Sequence, residues 1–290
     1  MASIRDIRRR IRSVKGTAQI TKAMQMVASS KMRKAQQAAV NGRPFAELAG
    51  EVMAHATGDA GDFSHPLIEP REVRRRGVIL VSTDKGLCGA LNSNLFREVA
   101  RYDAATTSFI AVGKKAGQFL ARTRRKLVAE FGYHDTPTYG ECQAISRCAK
   151  ELFLNGEVDQ IEVVYSRFVN TLSQKPDTRL VLPMGDVTTA QAKVAGRAAA
   201  TGATATDYLF EPSAPEVMEV LLAYLLDFQI AQLLLESKAS EHSARMVAMK
   251  NATENAEQLI KDLTLESNKM RQASITKELL EIATAQMAIS

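Results

Sequence analysis

The sequence is poor in the residues that build several common kinds of site. Its 290 residues include no tryptophan, only three cysteines and only four histidines. Three cysteines are too few for a disulfide framework, and the histidines do not show the spacing of metal ligands. No uninterrupted apolar run reaches the roughly 20 residues that a membrane-spanning helix needs. We therefore expect neither a disulfide scaffold, nor a zinc site, nor a membrane span.

The sequence also lacks the standard motifs of phosphate binding and nucleophilic catalysis. It contains no G-x-x-x-x-G-K-[ST], no G-x-G-x-x-G and no G-x-S-x-G. The nearest feature is residues 83–89, a glycine-containing turn in which Asp84 and Lys85 could meet a phosphate. Such a turn more often only reverses the chain between a strand and a helix. We expect no catalytic residue, no cofactor and no metal ion, and we keep a nucleotide-binding α/β protein with helical arms as the alternative.

Glycine and proline are almost absent from the N-terminal segment, which predicts a long helix. Residues 1–40 contain one glycine, Gly16, and no proline, and a stop signal follows at Asn41-Gly42. Small or apolar residues recur at heptad spacing: Ile4, Ile7, Ile11, Val14, Ala18 and Thr21. The stripe then moves sideways onto Ile20, Met24, Val27 or Ala28, Met32 and Ala35. The pattern is typical of one strand of a coiled coil.

The C-terminal segment shows the same features over a greater length. No glycine or proline occurs between Pro215 and the last residue, Ser290. A continuous helix of this length would extend ~110 Å at 1.5 Å per residue. Its apolar stripe is predicted at Val217, Leu221, Tyr224 or Leu225, Phe228, Met246, Met249, Ala252, Ala256, Leu259 or Ile260, Leu263 and Met270. The N-terminal helix is the obvious partner in an antiparallel coiled coil.

The charge distribution leaves more than one function open for the N-terminal segment. Residues 1–34 hold ten Lys or Arg and one acid, whereas residues 210–290 hold seven Lys or Arg and twelve acids. A basic segment of this kind occurs in nucleic-acid-binding arms and in mitochondrial presequences as well as in coiled coils. The segment has no interleaved aromatic residue and no break that resembles a cleavage site. We therefore favour the coiled coil, with no nucleic acid as a partner.

The middle of the chain alternates between short apolar strands and helices. Strands are predicted at residues 77–82, 109–112, 160–166 and 179–182, and helices at 92–102, 115–122 and 141–154. This alternation favours a mostly parallel α/β sheet of Rossmann-like type. The expected fold class is α/β, with a long antiparallel coiled coil of the N- and C-terminal helices. The expected segments are an N-terminal helix in 1–56, a linker in 57–76, the α/β domain in 77–206 and a C-terminal helix in 207–290.

Motifs at both ends and in the middle carry a family resemblance. The N-terminal segment reads Ile7-Arg-x-x-Ile11-x-Ser-Val14 and then Ile20-Thr-Lys-Ala-Met24-x-Met-Val27-Ala-x-Ser-Lys31. The middle contains Asp84-Lys-Gly-Leu-Cys-Gly89-x-x-Asn92. The C-terminal segment reads Ser240-Glu-His-x-Ala-Arg-Met246 and Asn268-x-x-Arg271-Gln-Ala-x-Ile275-Thr. Together these motifs resemble the γ subunit of rotary F-type ATP synthases along the whole chain.

The resemblance implies a rotor shaft without catalytic activity of its own. In that family the coiled coil passes through a hexamer of α and β subunits, and the α/β domain lies on the ε subunit and the ring of c subunits. Proton or sodium flow turns the ring, and the shaft drives the β sites through ATP synthesis. The resemblance implies a location on the cytoplasmic face of the bacterial inner membrane, with membrane association only through the c ring.

The resemblance also supplies candidate contacts with the β subunit. Carried over position by position, these are Lys22, Met24, Arg271, Gln272 and Thr276. Met24 has a plainer interpretation as a residue of the coiled-coil seam. The sequence departs from the family at residues 282–286, where a glycine is usual, and at Lys277, where glutamine is common.

Overall fold

The computed structural model describes residues 4–42, 44–45, 48–49, 52, 65–184, 210–211 and 213–289, with side chains as far as Gln286. The sequence also predicts a short second helix at 45–55, and most of that segment lies outside the described residues. The small and polar residues 190–206 also predict a linker. This segment and the first part of the linker expected at 57–76 lie outside the described residues.

The N-terminal helix, α1, runs from Ile4 to Asn41 and ends where the sequence predicts. The backbone amide of Gly42 donates to the carbonyl of Ala38 at 3.2 Å, which closes the last turn. A Cβ at Gly42 would approach the side-chain nitrogen of Gln232 to 2.3 Å and the ring of Phe228 to 3.3 Å. Glycine therefore stops the helix and also permits a close approach to the C-terminal helix.

The central domain contains one five-stranded sheet. The strands are β1 (Arg76–Val81), β2 (Thr107–Val112), β3 (Lys126–Phe131), β4 (Gln160–Phe168) and β5 (Gln174–Leu182). Their order is β3-β2-β1-β4-β5, with β5 antiparallel to β4 and the other pairs parallel. The helices between the strands are α2 (Leu91–Val99), α3 (Lys114–Arg122) and α4 (Tyr139–Leu154). The predicted mostly parallel α/β sheet is confirmed.

Two edge features of the sheet differ from the sequence prediction. Strand β3 was not predicted, because its sequence Lys-Leu-Val-Ala-Glu-Phe lies at an edge and is largely exposed, so it shows no apolar run. Strand β5 begins at Gln174, five residues before the predicted start at Arg179, and includes Pro176. Proline and alternating polar residues are tolerated at the edge of a sheet, where one side of the ladder is unpaired.

Both faces of the sheet are covered, which explains why its central strands are almost entirely apolar. On one face, Val78, Leu80 and Phe109 pack against α2 and α3. On the other face, Ile79 and Val81 pack against α4 and the C-terminal helix. This last helix, α5, runs from Ala214 to Ile289. Its contribution to the core is a row of large apolar residues: Met218, Leu222, Leu226, Ile230, Leu233 and Leu234.

In this part of α5 the predicted apolar stripe is wrong by one position. The predicted residues Val217, Leu221 and Phe228 are only half-buried, whereas Met218 and Leu222 are fully buried. Because α5 faces the sheet here, its most buried row is not a coiled-coil seam. The same packing accounts for a stretch within Ala214–Gln286, of mean hydropathy 1.6, that by length and composition alone could cross a membrane. A core helix has the same composition.

The chain forms two compact units. The first comprises residues 1–29 and 245–290, and the second comprises residues 30–244. Helices α1 and α5 each contribute to both units. The expected division into four sequence segments stays a prediction.

Candidate functional site

The first unit consists of two helical segments that bury a narrow seam. Ile7 and Thr21 of α1 are buried, and the other predicted seam residues of α1 are half-buried. On α5 the buried side chains include Met249, Thr253 and Leu263. The hydroxyl oxygens of Thr21 and Thr253 lie 2.7 Å apart in a hydrogen bond. The predicted pairing of the two terminal helices is confirmed, and this buried polar pair favours a single register.

The sideways step predicted for α1 is correct in part. Ala28, Met32 and Ala35 are buried as expected, and Met24 is half-buried. Ile20, however, is 63% exposed, so this position of the prediction is wrong. Of the two alternatives Val27 and Ala28, Ala28 is the buried one and Val27 is 54% exposed. Ile20 and Val27 lie beside the seam, because a helix that keeps a narrow seam cannot bury neighbouring positions as well.

The five candidate contact residues form two separate groups in the first unit. Lys22 is exposed and Met24 is half-buried, close to the level at which Thr21 meets Thr253. Arg271, Gln272 and Thr276 are exposed farther along α5. Since position 271 follows position 253 by 18 residues, the groups are separated by about 27 Å along the helix. The structure therefore does not bring these residues together into one site.

The environment of each group is that of a surface. Thr276 donates its hydroxyl proton to the carbonyl of Gln272 within α5, at 3.0 Å. Lys277, where the sequence departs from the family, lies 3.6 Å from Glu281 in an exposed ion pair. The half-burial of Met24 is consistent with both of its interpretations, as a seam residue and as a surface contact.

The paired helices expose many large apolar side chains that the sequence analysis did not single out. Met26 on α1 is 62% exposed. On α5 the exposed fraction is close to one half or more at five positions: Leu265, Ile275, Leu279, Leu280 and Ile282. Several exposed large apolar side chains on one pair of helices are typical of a surface that contacts another protein. The signal in the sequence was the presence of apolar residues outside the heptad positions of the same helices.

Basic side chains are also exposed on α1. Five Arg or Lys of the first turns are exposed: Arg8, Arg9, Arg10, Arg12 and Lys15. Ion pairs such as Arg9–Asp6, at 3.4 Å, lie within one helix and are themselves exposed. The surface of α1 thus combines apolar groups with positive charge, which suits a partner that carries acidic groups.

Asp84 and Thr83, in the turn that resembled a phosphate site, accept hydrogen bonds from the start of the neighbouring helix α3. The first three amides of α3 are bonded: Lys114 to the Asp84 carboxylate at 3.0 Å, Lys115 to the Thr83 carbonyl at 3.1 Å and Ala116 to the Ser82 hydroxyl at 2.7 Å. A phosphate at this helix N-terminus would need these donors. The geometry therefore favours a structural turn over nucleotide binding.

Among the described residues, burial makes the cysteine side chains less reactive. All three cysteines are thiols, and burial raises the pKa of Cys142 to about 11, with the charges of Glu141 and Asp227 adding to the effect. Raised thiol pKa values disfavour the reactive thiolate. Within the described part of the chain, no group of three or more His, Cys, Asp or Glu side chains is placed to hold a metal ion.

Comparison with known proteins identifies the class. A family model described as ATP synthase matches residues 3–289. A central-stalk and c-ring structure of the Tetrahymena thermophila mitochondrial ATP synthase has a TM-score of 0.59 and 25% identity, covering 80% of this chain and 99% of that chain. A Euglena gracilis OSCP/F1/c-ring structure has a TM-score of 0.68 and, at 20% identity, supports the fold, covering 99% of this chain and 94% of that chain. The fold is that of a central-stalk protein of a rotary ATP synthase.

The sequence relatives give a more specific identification. The ATP synthase gamma chain of Methylacidiphilum infernorum is 47% identical over 294 residues, covering 100% of both chains. The ATP synthase gamma chain of Opitutus terrae is 48% identical over 295 residues, covering 99% of both chains. The chain belongs to the ATP synthase gamma-chain family.

Proposed function

We propose that this chain is the central rotor shaft of an F-type ATP synthase. It couples proton-driven or sodium-driven rotation of the c-subunit ring to ATP synthesis in the catalytic β subunits. The observation that carries the proposal is the pair of terminal helices. These helices bury a narrow seam between them and expose apolar and basic side chains on the outside. Membership of the gamma-chain family over the full length supports the same function.

The proposed partners follow from this function. The paired helices of residues 4–29 and 245–289 are inserted into the hexamer of α and β subunits, and the α/β domain contacts the ε subunit and the c ring. The five candidate residues Lys22, Met24, Arg271, Gln272 and Thr276 contact β at two levels. Their separation of about 27 Å along α5 supports two contact regions rather than one.

The chain is proposed to be non-catalytic and to act on the membrane only through its partners. Two described features support a non-catalytic role: the amides at the start of α3 are already bonded, and burial disfavours the thiolate of Cys142. The proposed location is the cytoplasmic face of the bacterial inner membrane, as a peripheral component. No cofactor is required for a part that transmits torque.

Reconstitution with partners tests the proposal. The chain is co-expressed with the α and β subunits of its own complex, and three preparations are compared: α with β, the chain alone, and all three together. We expect the chain alone to hydrolyse no ATP and to aggregate, because its exposed apolar surface lacks a partner. We expect the three together to form an ATP-hydrolysing complex. A well-behaved monomer with ATPase activity of its own would overturn the proposal.

A further inference from the structure

A seven-residue stretch of α5 is buried on every side although it is mostly polar. Residues 237–243 read Ser-Lys-Ala-Ser-Glu-His-Ser, and each is at most 4% exposed. Seven residues cover nearly two helical turns, so the protein surrounds the helix at this level. Burial of polar groups is unfavourable unless they are hydrogen-bonded. The hydrogen-bond and ion-pair partners of this stretch therefore show which elements it connects.

One side of the stretch is bonded to β4 and to the turn that follows it. The hydroxyl of Ser240 donates to the carbonyl of Ser166 at 2.7 Å, and the hydroxyl of Ser243 donates to the carbonyl of Thr171 at 2.7 Å. One turn earlier, the carboxylate of Glu236 accepts from the amide of Phe168 at 3.2 Å. Three successive levels of α5 are thus joined to the end of one strand.

The opposite side contacts the loop after β3. The ammonium of Lys238 lies 4.0 Å from the centre of the Tyr133 ring and 3.1 Å from the carboxylate of Glu241. The Tyr133 hydroxyl donates to the carbonyl of Ser82 at 3.1 Å, at the end of β1. Lys238 therefore links α5 to the central strands through a ring that is itself hydrogen-bonded.

Asp135, in the same loop, joins three elements. One carboxylate oxygen lies 3.1 Å from the ring nitrogen Nε2 of His242 on α5, and the other accepts from the ammonium of Lys31 on α1 at 2.6 Å. Partial burial raises the pKa of Asp135, but the hydrogen bond from Lys31 and the charge of His242 outweigh it, so the pKa falls below its ordinary value. The carboxylate is therefore ionised at neutral pH.

We propose that residues 236–243 of α5 form a torsional clamp, with Asp135 as its bridging acid, that fixes the rotation angle of α1 and α5 in the α/β domain. The inference rests on the proposed function, because torque that enters at the α/β domain must be transmitted to α1 and α5. Without directional contacts, these helices could rotate about their own axes relative to the domain. Apolar packing is non-directional, whereas hydrogen bonds and ion pairs depend on angle. All the clamp residues belong to the second compact unit.

Torsional stiffness is the property that separates a clamp from a merely buried network. The test uses the complete rotary complex, immobilised through β and locked with an inhibitor, with a gold rod attached to the α/β domain. The angular variance of the rod is measured for wild type, Asp135→Asn and Lys31→Gln. Lys34→Gln is the matched control, since Lys34 is an exposed lysine on the same helix one turn away.

We expect Asp135→Asn and Lys31→Gln each to raise the angular variance roughly twofold, because each removes a charge-assisted contact of the bridge. Lys34→Gln is expected to leave the variance at the wild-type value. Asp135→Lys places a cation against Lys31 and His242, and should raise the variance further or prevent assembly. The reversed pair Lys31→Glu with Asp135→Lys should restore assembly and lower the variance again.

The outcomes separate this inference from the proposed function. Wild-type variance in Asp135→Asn and Lys31→Gln, in a complex that rotates normally, overturns the clamp and leaves the rotor proposal intact. Absence of rotation in the wild-type complex overturns the rotor proposal itself.

Discussion

Gly113 lies at the carboxyl edge of the sheet, where the ends of β1, β2 and β3 are close together. It follows β2 with φ of 94°, a left-handed conformation that side chains rarely adopt. Its amide donates to the carbonyl of Phe131 at 2.8 Å, which joins the end of β2 to the end of β3. A Cβ at this position would lie 2.4 Å from the carbonyl oxygen of Ser82, at the end of β1. Both the backbone conformation and the available space therefore require glycine.

The first prediction is that Gly113→Ala lowers the free energy of unfolding of the α/β domain by about 2–4 kcal/mol, through strain and a backbone clash. Gly140→Ala is the matched control, because Gly140 is helical and a Cβ added there would have no neighbouring heavy atom within 4 Å. Pulse proteolysis of the chain within its reconstituted complex, in a urea series, measures both variants. Equal urea midpoints for the two would show that the end of β1 can move away at little cost.

At the scale of elements, α4 begins with a reciprocal capping arrangement. The hydroxyl of Thr138 accepts from the amide of Glu141 at 3.3 Å, and the carboxylate of Glu141 accepts from the amide of Thr138 at 2.7 Å. The same carboxylate group accepts from the amide of His134 at 3.2 Å. These bonds satisfy donors that a helix start otherwise leaves unpaired. They also fix the loop that carries Asp135.

The second prediction is that Thr138→Ala costs about 1 kcal/mol of domain stability, since the N-cap acceptor is lost. Thr138→Ser keeps the hydroxyl and should cost much less. Thr136→Ala is the control, because Thr136 is exposed two residues before the cap. The urea midpoints of these three variants, measured in the same way, test the prediction. A loss in Thr136→Ala as large as that in Thr138→Ala would assign the effect to the loop rather than to the cap.

The third prediction concerns how the free energy of unfolding changes as the pH falls below neutrality. Burial raises the pKa of Glu141, but the hydrogen bonds with Thr138 and His134 lower it by more, so the folded pKa is depressed. The unfolded chain then binds the proton more tightly, and the stabilisation is present above the unfolded pKa and is lost as the pH falls through the folded pKa. Glu141→Gln should therefore lose stability at neutral pH and show a smaller further loss on acidification. A stability profile parallel to wild type from about pH 6 to pH 3 would contradict this assignment.

At the scale of the whole molecule, the proposed rotor makes the surface of the first unit sensitive to charge. Met24→Lys adds a cation beside Lys22, facing the acidic groups that we propose on β. As the fourth prediction, we expect the protons pumped per ATP to fall by roughly half or more while hydrolysis is largely retained, because a new charge pair stabilises one rotary state. Met24→Leu keeps the volume without the charge and is the control. Unchanged pumping per ATP in membrane vesicles would mean that Met24 is only a seam residue.

The fifth prediction concerns the end of α5. Ser274 is half-buried, and every described side chain from 275 to 286 is exposed. Deletion of residues 287–290 removes less than about one and a quarter helical turns. We expect assembly and ATP-driven pumping to stay within about twofold of wild type, because each lost dispersion contact is weak.

A longer truncation, from residue 271 onward, is the comparison for this deletion. It removes Arg271, Gln272 and Thr276 together with the exposed apolar side chains of the tip, so we expect pumping to fall about tenfold or more. The readouts are growth on a non-fermentable carbon source and pumping in vesicles. An abrupt loss of both at the four-residue deletion would place the torque-carrying contacts at the tip.

The sequence by itself determined the features that depend on local periodicity. The scarcity of glycine and proline predicted both long helices, and the heptad spacing from Ile4 to Thr21 predicted the seam that the structure contains. The central strands were recognisable because burial on both faces makes them continuously apolar. The joint motifs predicted the family, because they extend along the whole chain.

Only the tertiary structure decided the contacts between residues that are distant in the sequence. The bridge from Lys31 through Asp135 to His242 joins positions separated by more than 100 residues, and no spacing rule connects them. The edge strand β3 and the capping of α3 by Ser82 and Asp84 depend in the same way on which strands are neighbours. Periodicity reports which face of an element is buried, but polar partners are set by the packing of whole elements. The physical reason is that burial acts on each residue independently, whereas a hydrogen bond requires two particular atoms to meet.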